Sequence, residues 1–361
     1  MPCWEFPPVI TGGLGVACEG LAQALRQSAD VTVVTPSEIG PSAYAGAYEG
    51  ELKARVHEFQ QTTLQQAGDF DLLHAHDWMS LPAAMEFSKV KGVPYIAHMH
   101  SFETDRAGAH GHEWIQGIER EGMRQADRVI VVSHQSAITA VQHYGVSADK
   151  LHVVHNGIHP LQPWRNSSSR PLVAFIGRMT SQKGPDVFLE MVRFLAPRFP
   201  AVDFVMAGVG DMLESLKARA HQHGLAHRIR FTGFLSRAEI HCLMAKTDLC
   251  CMPSRAEPFG LVALEAAQFG VPTILSSCAG VREVLPSNPV ATSADPHAFA
   301  EQAARLLAED SLRRSLHTSL QSEAARATWQ KAASQVLRIY HHVLNPPPDA
   351  PSARSGSAKV L

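Results

Sequence analysis

Leu249-Cys-Cys-Met-Pro-Ser-Arg-Ala-Glu-Pro-Phe-Gly-Leu-Val-Ala-Leu-Glu-Ala-Ala-Gln-Phe269 sets a short apolar run, a polar turn and a longer apolar run in series. The first run predicts a strand over Leu249–Met252. The second, Phe259–Phe269, predicts a buried helix, and Thr273–Leu275 predicts the next strand. Pro258 suits a first helical position, where its missing N–H costs nothing. Strand, helix and strand in this order make a parallel crossover unit. On this reading Glu257 sits at the helix mouth and Glu265 about two turns inside, roughly 12 Å along the axis at ~1.5 Å per residue. A nucleoside-diphosphate sugar spans that distance, with its diphosphate at the positive helix terminus. An exposed first-turn acid and a buried structural one would look the same.

The pattern repeats outward along the chain. Strand-like runs recur at Val31–Val34, Asp71–Ala75, Pro94–Met99, Arg128–Val132, Leu151–Val154, Leu172–Ile176, Asp203–Ala207 and Arg230–Thr232. Helical patterns fall between them. Such alternation predicts an α/β protein with parallel sheets covered on both faces. The expected layout is two Rossmann-like domains facing a cleft, residues 1–158 and 172–323. A Pro/Ser/Asn-rich linker, residues 159–171, joins them. A long helix over Ala324–Val343 is expected to cross back to the first domain within residues 324–344. Residues 345–361, with four prolines, read as a disordered tail. Met1–Trp4 is too short for the strand that normally opens such a domain. Either the start is late or the N-terminal domain lacks its first strand.

At 361 residues with a net charge of -2, the chain suits two domains and carries no basic footprint for nucleic acid. No apolar run approaches ~18 residues, so no transmembrane segment is expected. Six cysteines (Cys3, Cys18, Cys242, Cys250, Cys251, Cys278) form no Cys-x-x-Cys pair. They suit reduced thiols in a cytoplasmic protein.

Thr11-Gly-Gly-Leu-Gly15 opens a helix and lets backbone N–H groups approach an anion, although plain tight turns use the same residues. Arg178 and Lys183 leave the carboxyl end of a strand, where open α/β sheets bind ligands, and suit a diphosphate. Two solvated loop charges are the alternative. His74-Ala-His-Asp-Trp78 and His98-Met-His100 invite a metal reading, but residues i and i+2 of a strand share a face, and zinc would need ligands from elsewhere. They read better as polar residues ending adjacent strands at a cleft edge. Asp69-Phe-Asp71 begins a strand and reads as turn acids.

In series with Trp4-Glu-Phe-Pro-Pro8, Asp127–Ser133, Val153–Gly157, Ala207-Gly-Val-Gly210 and Phe231–Leu235, these segments resemble the group 1 retaining glycosyltransferases of GT-B fold, the family of the glycogen and starch synthases. The resemblance implies that Glu257 holds the donor sugar's hydroxyls and Glu265 the ribose. Arg178 and Lys183 would neutralise the diphosphate, and His100 would reach the donor sugar. Gly12, Gly13, Gly15, Gly208 and the backbone of Phe259, Gly260 and Leu261 would line the donor site. Gly233, Phe234 and Leu235 would contact the base, and His76, Asp77 and Trp78 the acceptor side. It implies a nucleotide-diphosphate sugar donor, UDP- or ADP-glucose by preference, a glycan or small-molecule acceptor, and no metal. A nucleotide-sugar-binding protein with weak or no transfer, and a nucleotide-sugar epimerase, fit the same motifs.

Overall fold

The computed structural model describes residues 1–8, 10, 12–36, 49–66, 68–108, 111–164 and 170–346. The tail expected over 345–361 lies almost wholly outside the described residues, as do residues 165–169 of the expected linker.

The N-terminal domain holds a parallel sheet of β1 (Leu73–His76), β2 (Tyr95–Met99), β3 (Arg128–Val131) and β4 (Leu151–Val153), in that spatial order. Its helices are α1 (Gly13–Leu25), α2 (Glu49–Gln65), α3 (Leu81–Lys91), α4 (Glu103–Ala107), α5 (Glu113–Gln125) and α6 (His134–Tyr144). Strands β1 to β3 are almost entirely buried, which is why they read as unbroken apolar runs. Among the described residues no strand precedes α1, and the opening segment makes only an isolated bridge. Cys3 N–H donates to Val34 O at 2.9 Å, Val34 N–H to Met1 O at 3.0 Å, and His76 N–H to Pro2 O at 3.3 Å. Met1–Cys3 therefore lies between Val34 and the end of β1. The strand expected over Val31–Val34 shrinks to a single bridge, Pro2 to Val34.

The C-terminal domain holds β5 (Leu172–Ile176), β6 (Asp203–Ala207), β7 (Ile229–Gly233), β8 (Leu249–Met252), β9 (Thr273–Ser276) and β10 (Val290–Ala291). All pairs are parallel, in the order β10-β9-β8-β5-β6-β7. Helices α7 (Pro185–Leu195), α8 (Leu213–Gln222), α9 (Arg237–Met244), α10 (Leu261–Gln268), α11 (Pro296–Ala308) and α12 (Asp310–Arg326) cover it. The chain leaves β5 toward β6 on one side and later reaches β8 on the other. The sheet's switch point, where a ligand crevice opens at the strands' carboxyl ends, therefore lies between β5 and β8.

The helix expected over Ala324–Val343 is two helices. Thr328 interrupts it: its hydroxyl caps α13 (Trp329–Leu344) by accepting from Lys331 N–H, and its backbone bridges Ile158. α13 then packs on α1. Trp329 lies so close to Gly20 that a Cβ there would stand 2.2 Å from the indole. Val132 and Ile158 share a core cluster with Phe259, Leu264 and Val281, so apolar packing joins the two sheets' ends.

Candidate active site

The turn after β5 is built directly on the turn after β8. Gly184 has φ +67°, and a Cβ there would lie 2.1 Å from Pro253 O, so only glycine allows the approach. Arg255 N–H donates to Gln182 O at 2.8 Å, and the Arg255 guanidinium grips both oxygens of Asp186 at 2.9 and 2.7 Å. This contact brings Lys183 and Glu257 together across the switch point. Lys183 Nζ donates to Oε1 and Oε2 of Glu257 at 2.9 and 2.7 Å, and Ser254 Oγ donates to Oε2 at 3.0 Å. Glu257 is 6% exposed and Lys183 22%. A cation and an anion thus neutralise each other at the crevice floor, and a ligand carrying both hydroxyls and phosphates can exchange partners with them.

The helix behind this pair begins later than the proline signal suggests. Glu257 lies in an extended segment bridged to Ala279, with Gly280 N–H donating to Glu257 O and Val281 N–H to Phe259 O. Gly260, at φ +115°, turns the chain, and α10 starts at Leu261. Pro258 is not a first helical residue and Glu257 is not on the helix. Glu265 sits in the second turn of α10. Burial pushes its carboxyl up to about 7, against the pull of Arg237.

Arg178 is exposed, and its guanidinium donates to Gln182 Oε1 at 3.1 Å. Gly208 lies against the same strand end: its φ is +138° and a Cβ would meet Gly177 O at 1.9 Å. Its N–H donates to Gly233 O at 2.8 Å, so the turns after β5, β6 and β7 form one rim. Phe234 projects from that rim, 63% exposed, beside the partly buried Leu235.

Gly12 N–H donates to Glu5 Oε2 at 3.1 Å, and Gly15 packs on Ile10 and Glu5. A Cβ on Gly13 would stand 3.7 Å from Leu261 Cδ1, which sets the glycine turn against the start of α10. The other part of this wall is a ladder of imidazoles. His76 pairs with His98 across β1 and β2, and His74 and His100 are their i±2 neighbours, so all four share one face. Their rings stack, with centroids 4.4 Å apart for His74–His76 and for His98–His100. His74 contacts Tyr340 Oη at 2.6 Å and His98 Nδ1 at 3.1 Å, and His76 Nδ1 contacts His100 Nε2 at 2.9 Å. Burial drives all four pKa values down, His100 to about 3, so the ladder is neutral. Asp77, at φ +57°, accepts from the N–H of His100 at 2.6 Å and of Ser101 at 3.3 Å. Burial raises its pKa to about 6 although Arg106 and these N–H groups oppose the shift.

Two residues assigned to the acceptor side do not face the cleft. Trp78 is fully buried, edge-on to Trp114 and in one cluster with Trp4, and His76 is equally enclosed. Both support the wall from behind; His100 is the ladder's partly exposed member. Sequence reasoning missed Gln182 and Ser254, which hold Arg178 and Glu257. It also missed Asp105, whose pKa burial lifts to about 6 and which feels the Glu257 charge across the cleft. Ser254, three residues before Glu257 in a turn, was the available signal.

A family model described as glycosyl transferases group 1 matches residues 161–322, and one described as glycosyltransferase family 4 matches residues 11–160. The glycogen synthase of Mycobacterium tuberculosis is 27% identical, with 94% of this chain and 93% of the relative covered. Sucrose-phosphate synthase from Thermosynechococcus elongatus superposes with a TM-score of 0.79 at 19% identity, covering 95% of this chain and 99% of that one. HepE of Anabaena, in complex with UDP and glucose, superposes with a TM-score of 0.75 at 20% identity over 94% and 99%. With the two models meeting end to end at the interdomain connection, the chain belongs to the group 1 glycosyltransferases and has their GT-B fold.

Proposed function

We propose that this nucleotide-sugar glycosyltransferase is a cytoplasmic, metal-independent retaining hexosyltransferase that moves a glucosyl group from UDP- or ADP-glucose to a glycan or other hydroxyl acceptor. The observation that carries this reading is the Lys183–Glu257 pair at the switch point, with Arg178 beside it. In this reading Glu257 exchanges Lys183 for the sugar's hydroxyls, while Lys183 and Arg178 turn to the diphosphate. Charge-assisted bonds are strongest where charge develops, and here it develops on the leaving phosphate. Glu265 accepts from the ribose, the Gly233–Leu235 turn meets the base, and His100 donates to the sugar from the opposite wall. The acceptor oxygen bonds to C1 on the face the diphosphate leaves. The C1–O bond breaks with its electron pair going to the phosphate, and the departing oxygen takes the acceptor's proton.

A panel of UDP-, ADP- and GDP-glucose offered with α-glucans and small acceptors tests this, with nucleotide release and the product anomer as readouts. Acceptor-dependent release and an α-linked product from an α-linked donor are expected. A β-linked product would overturn retention. Isomerised donor without acceptor would identify an epimerase, and donor binding without release a binding protein.

A further inference from the structure

Three side chains from separate segments converge beneath the N-terminal wall. Ligand atoms of Cys3, Cys18 and His76 all lie within 4.8 Å of one another. Cys3 stands at the end of the bridged Met1–Cys3 segment, Cys18 in the second turn of α1, and His76 at the end of β1. All three are fully buried and both cysteines are free thiols. The place is the edge of the N-terminal sheet, between that opening segment and β1.

We propose that Cys3, Cys18 and His76 form a structural site for a thiophilic divalent cation, zinc by chemistry. Tetrahedral zinc with Zn–S of about 2.3 Å and Zn–N of about 2.0 Å sets ligand atoms roughly 3.5–3.8 Å apart, within a small contraction of the observed cluster. His76 is prepared for the role. Its Nδ1 faces His100 Nε2 at 2.9 Å, and its buried Nε2 has no hydrogen-bond partner among the described residues. With Nδ1–H donating to His100, Nε2 keeps a lone pair for a metal, the usual way an outer partner fixes a ligand tautomer. Two thiolates, one neutral imidazole and a divalent cation sum to zero charge, which suits a dry interior.

Two other clusters have ligand spacing but weaker claims. The nitrogens of His74 and His98 already face each other at 3.1 Å in a stack, and His134, His155 and Glu283 form a hydrogen-bonded group in which His134 is 73% exposed. An ion at Cys3–Cys18–His76 would tie α1, and with it the Gly12–Gly15 turn, to β1 and to an opening segment otherwise held by few backbone bonds.

The full chain, purified under a phosphine reductant and stripped of metal, is titrated with Co²⁺ and then Zn²⁺. Expected are one Co²⁺ per chain with a thiolate-to-cobalt absorption band, displacement of that band by Zn²⁺, and a Tm rise of at least about 5 °C with excess zinc. Cys3→Ser and Cys18→Ser are each expected to lose the band, while Cys242→Ser keeps it. Should either buried-cysteine variant not fold, X-ray absorption of the zinc-loaded wild-type chain reads the ligands instead, two sulfurs and one or more imidazoles being expected. No band, a band that survives in both buried-cysteine variants, or a shell without sulfur would each overturn the site.

Discussion

On the C-terminal wall Lys183 and Glu257 meet as full charges 2.7 Å apart, whereas on the N-terminal wall four imidazoles lie face to face and uncharged. Both walls are largely buried, so burial alone does not account for the contrast. A buried charge persists only with a hydrogen-bonded partner, and Glu257 has Lys183 and Ser254. Among the described residues the histidine rings pair only with one another and Tyr340, so they stay neutral. On the proposed reading the division suits transfer chemistry: the charged wall would follow the leaving diphosphate, while the neutral wall would offer hydrogen bonds without competing for it.

The largest expected effect tests that contrast directly. Lys183→Ala and Glu257→Ala each should lower kcat/KM at least ~100-fold, since losing one preorganised charged partner costs about 2.7–4 kcal/mol in the transition state. His100→Ala removes a neutral hydrogen bond worth about 1.5 kcal/mol and should cost about tenfold. Steady-state kinetics with the donor identified by the panel decide it. A His100 variant more damaged than the Lys183 variant would reverse the roles of the two walls.

The next effect concerns the scaffold under each wall. Gly208→Ala places a Cβ 1.9 Å from Gly177 O at a φ of +138°, and should destabilise the C-terminal domain by about 3 kcal/mol. A Cβ on Gly12 meets no described residue within 4 Å, and Gly12→Ala should stay within about 0.5 kcal/mol. Urea unfolding of both variants checks this. Equal losses would mean that the rim of turns after β5, β6 and β7 is not the close-packed device described.

The walls also differed in how far the sequence exposed them. The strand over Leu172–Ile176 was readable to the residue because a buried parallel strand is a plain apolar run. Helix starts were less legible. Pro258 carries a first-turn signal, but the backbone bonds of Gly280 and Val281 hold that stretch extended until Gly260 turns it. The helical periodicity of 324–343 runs through Thr328, and only the tertiary bridge to Ile158 shows the break. Lys183 and Glu257 were each named from local motifs. Their contact was not, because it spans 74 positions and depends on Gly184 touching Pro253. The His-x-His spacing did announce a shared face, whereas the burial that keeps those rings neutral belongs to the packed domain.

Acid should separate the walls more modestly. Each ladder histidine has a folded pKa below its unfolded value of ~6.5. The unfolded chain then binds the extra proton between the two values, and stability is lost as pH falls through that window. Asp77 and Asp105, raised to about 6, and Glu119, raised to about 7, act the other way: folded they hold protons that the unfolded chain has released, so they gain stability as pH falls toward about 4. The balance keeps the domain nearly level between pH 4.5 and 6 (a window set by ~4 for unfolded carboxylates) and lets the histidines dominate below it. His98→Gln removes one such proton and should flatten the acid limb by at most about 1.4 kcal/mol per pH unit. Thermal melts from pH 7 to 3 read the slope; a steeper limb in the variant would contradict the neutral ladder.

The smallest expected effect is that of Mg²⁺ or Mn²⁺. A hard cation on the diphosphate needs ionised carboxylates to hold it. Around this cleft Glu257 is already taken by Lys183, Asp77 by the backbone N–H groups of His100 and Ser101, and Asp105 by that of Phe102, while burial lifts Glu265 to about 7. Arg178 and Lys183 supply two positive charges on rigid turns, each worth about 4 kcal/mol against a phosphate charge at 4 Å and an effective dielectric of ~20. A divalent ion would duplicate them and compete for the same oxygens. Adding millimolar Mg²⁺ or Mn²⁺ to chelator-treated enzyme should therefore change turnover less than about twofold. Stimulation beyond tenfold would hand the diphosphate to a metal and leave Lys183 only as the counter-ion of Glu257. The charged wall would then be a structural pair, and its contrast with the neutral wall would no longer describe catalysis.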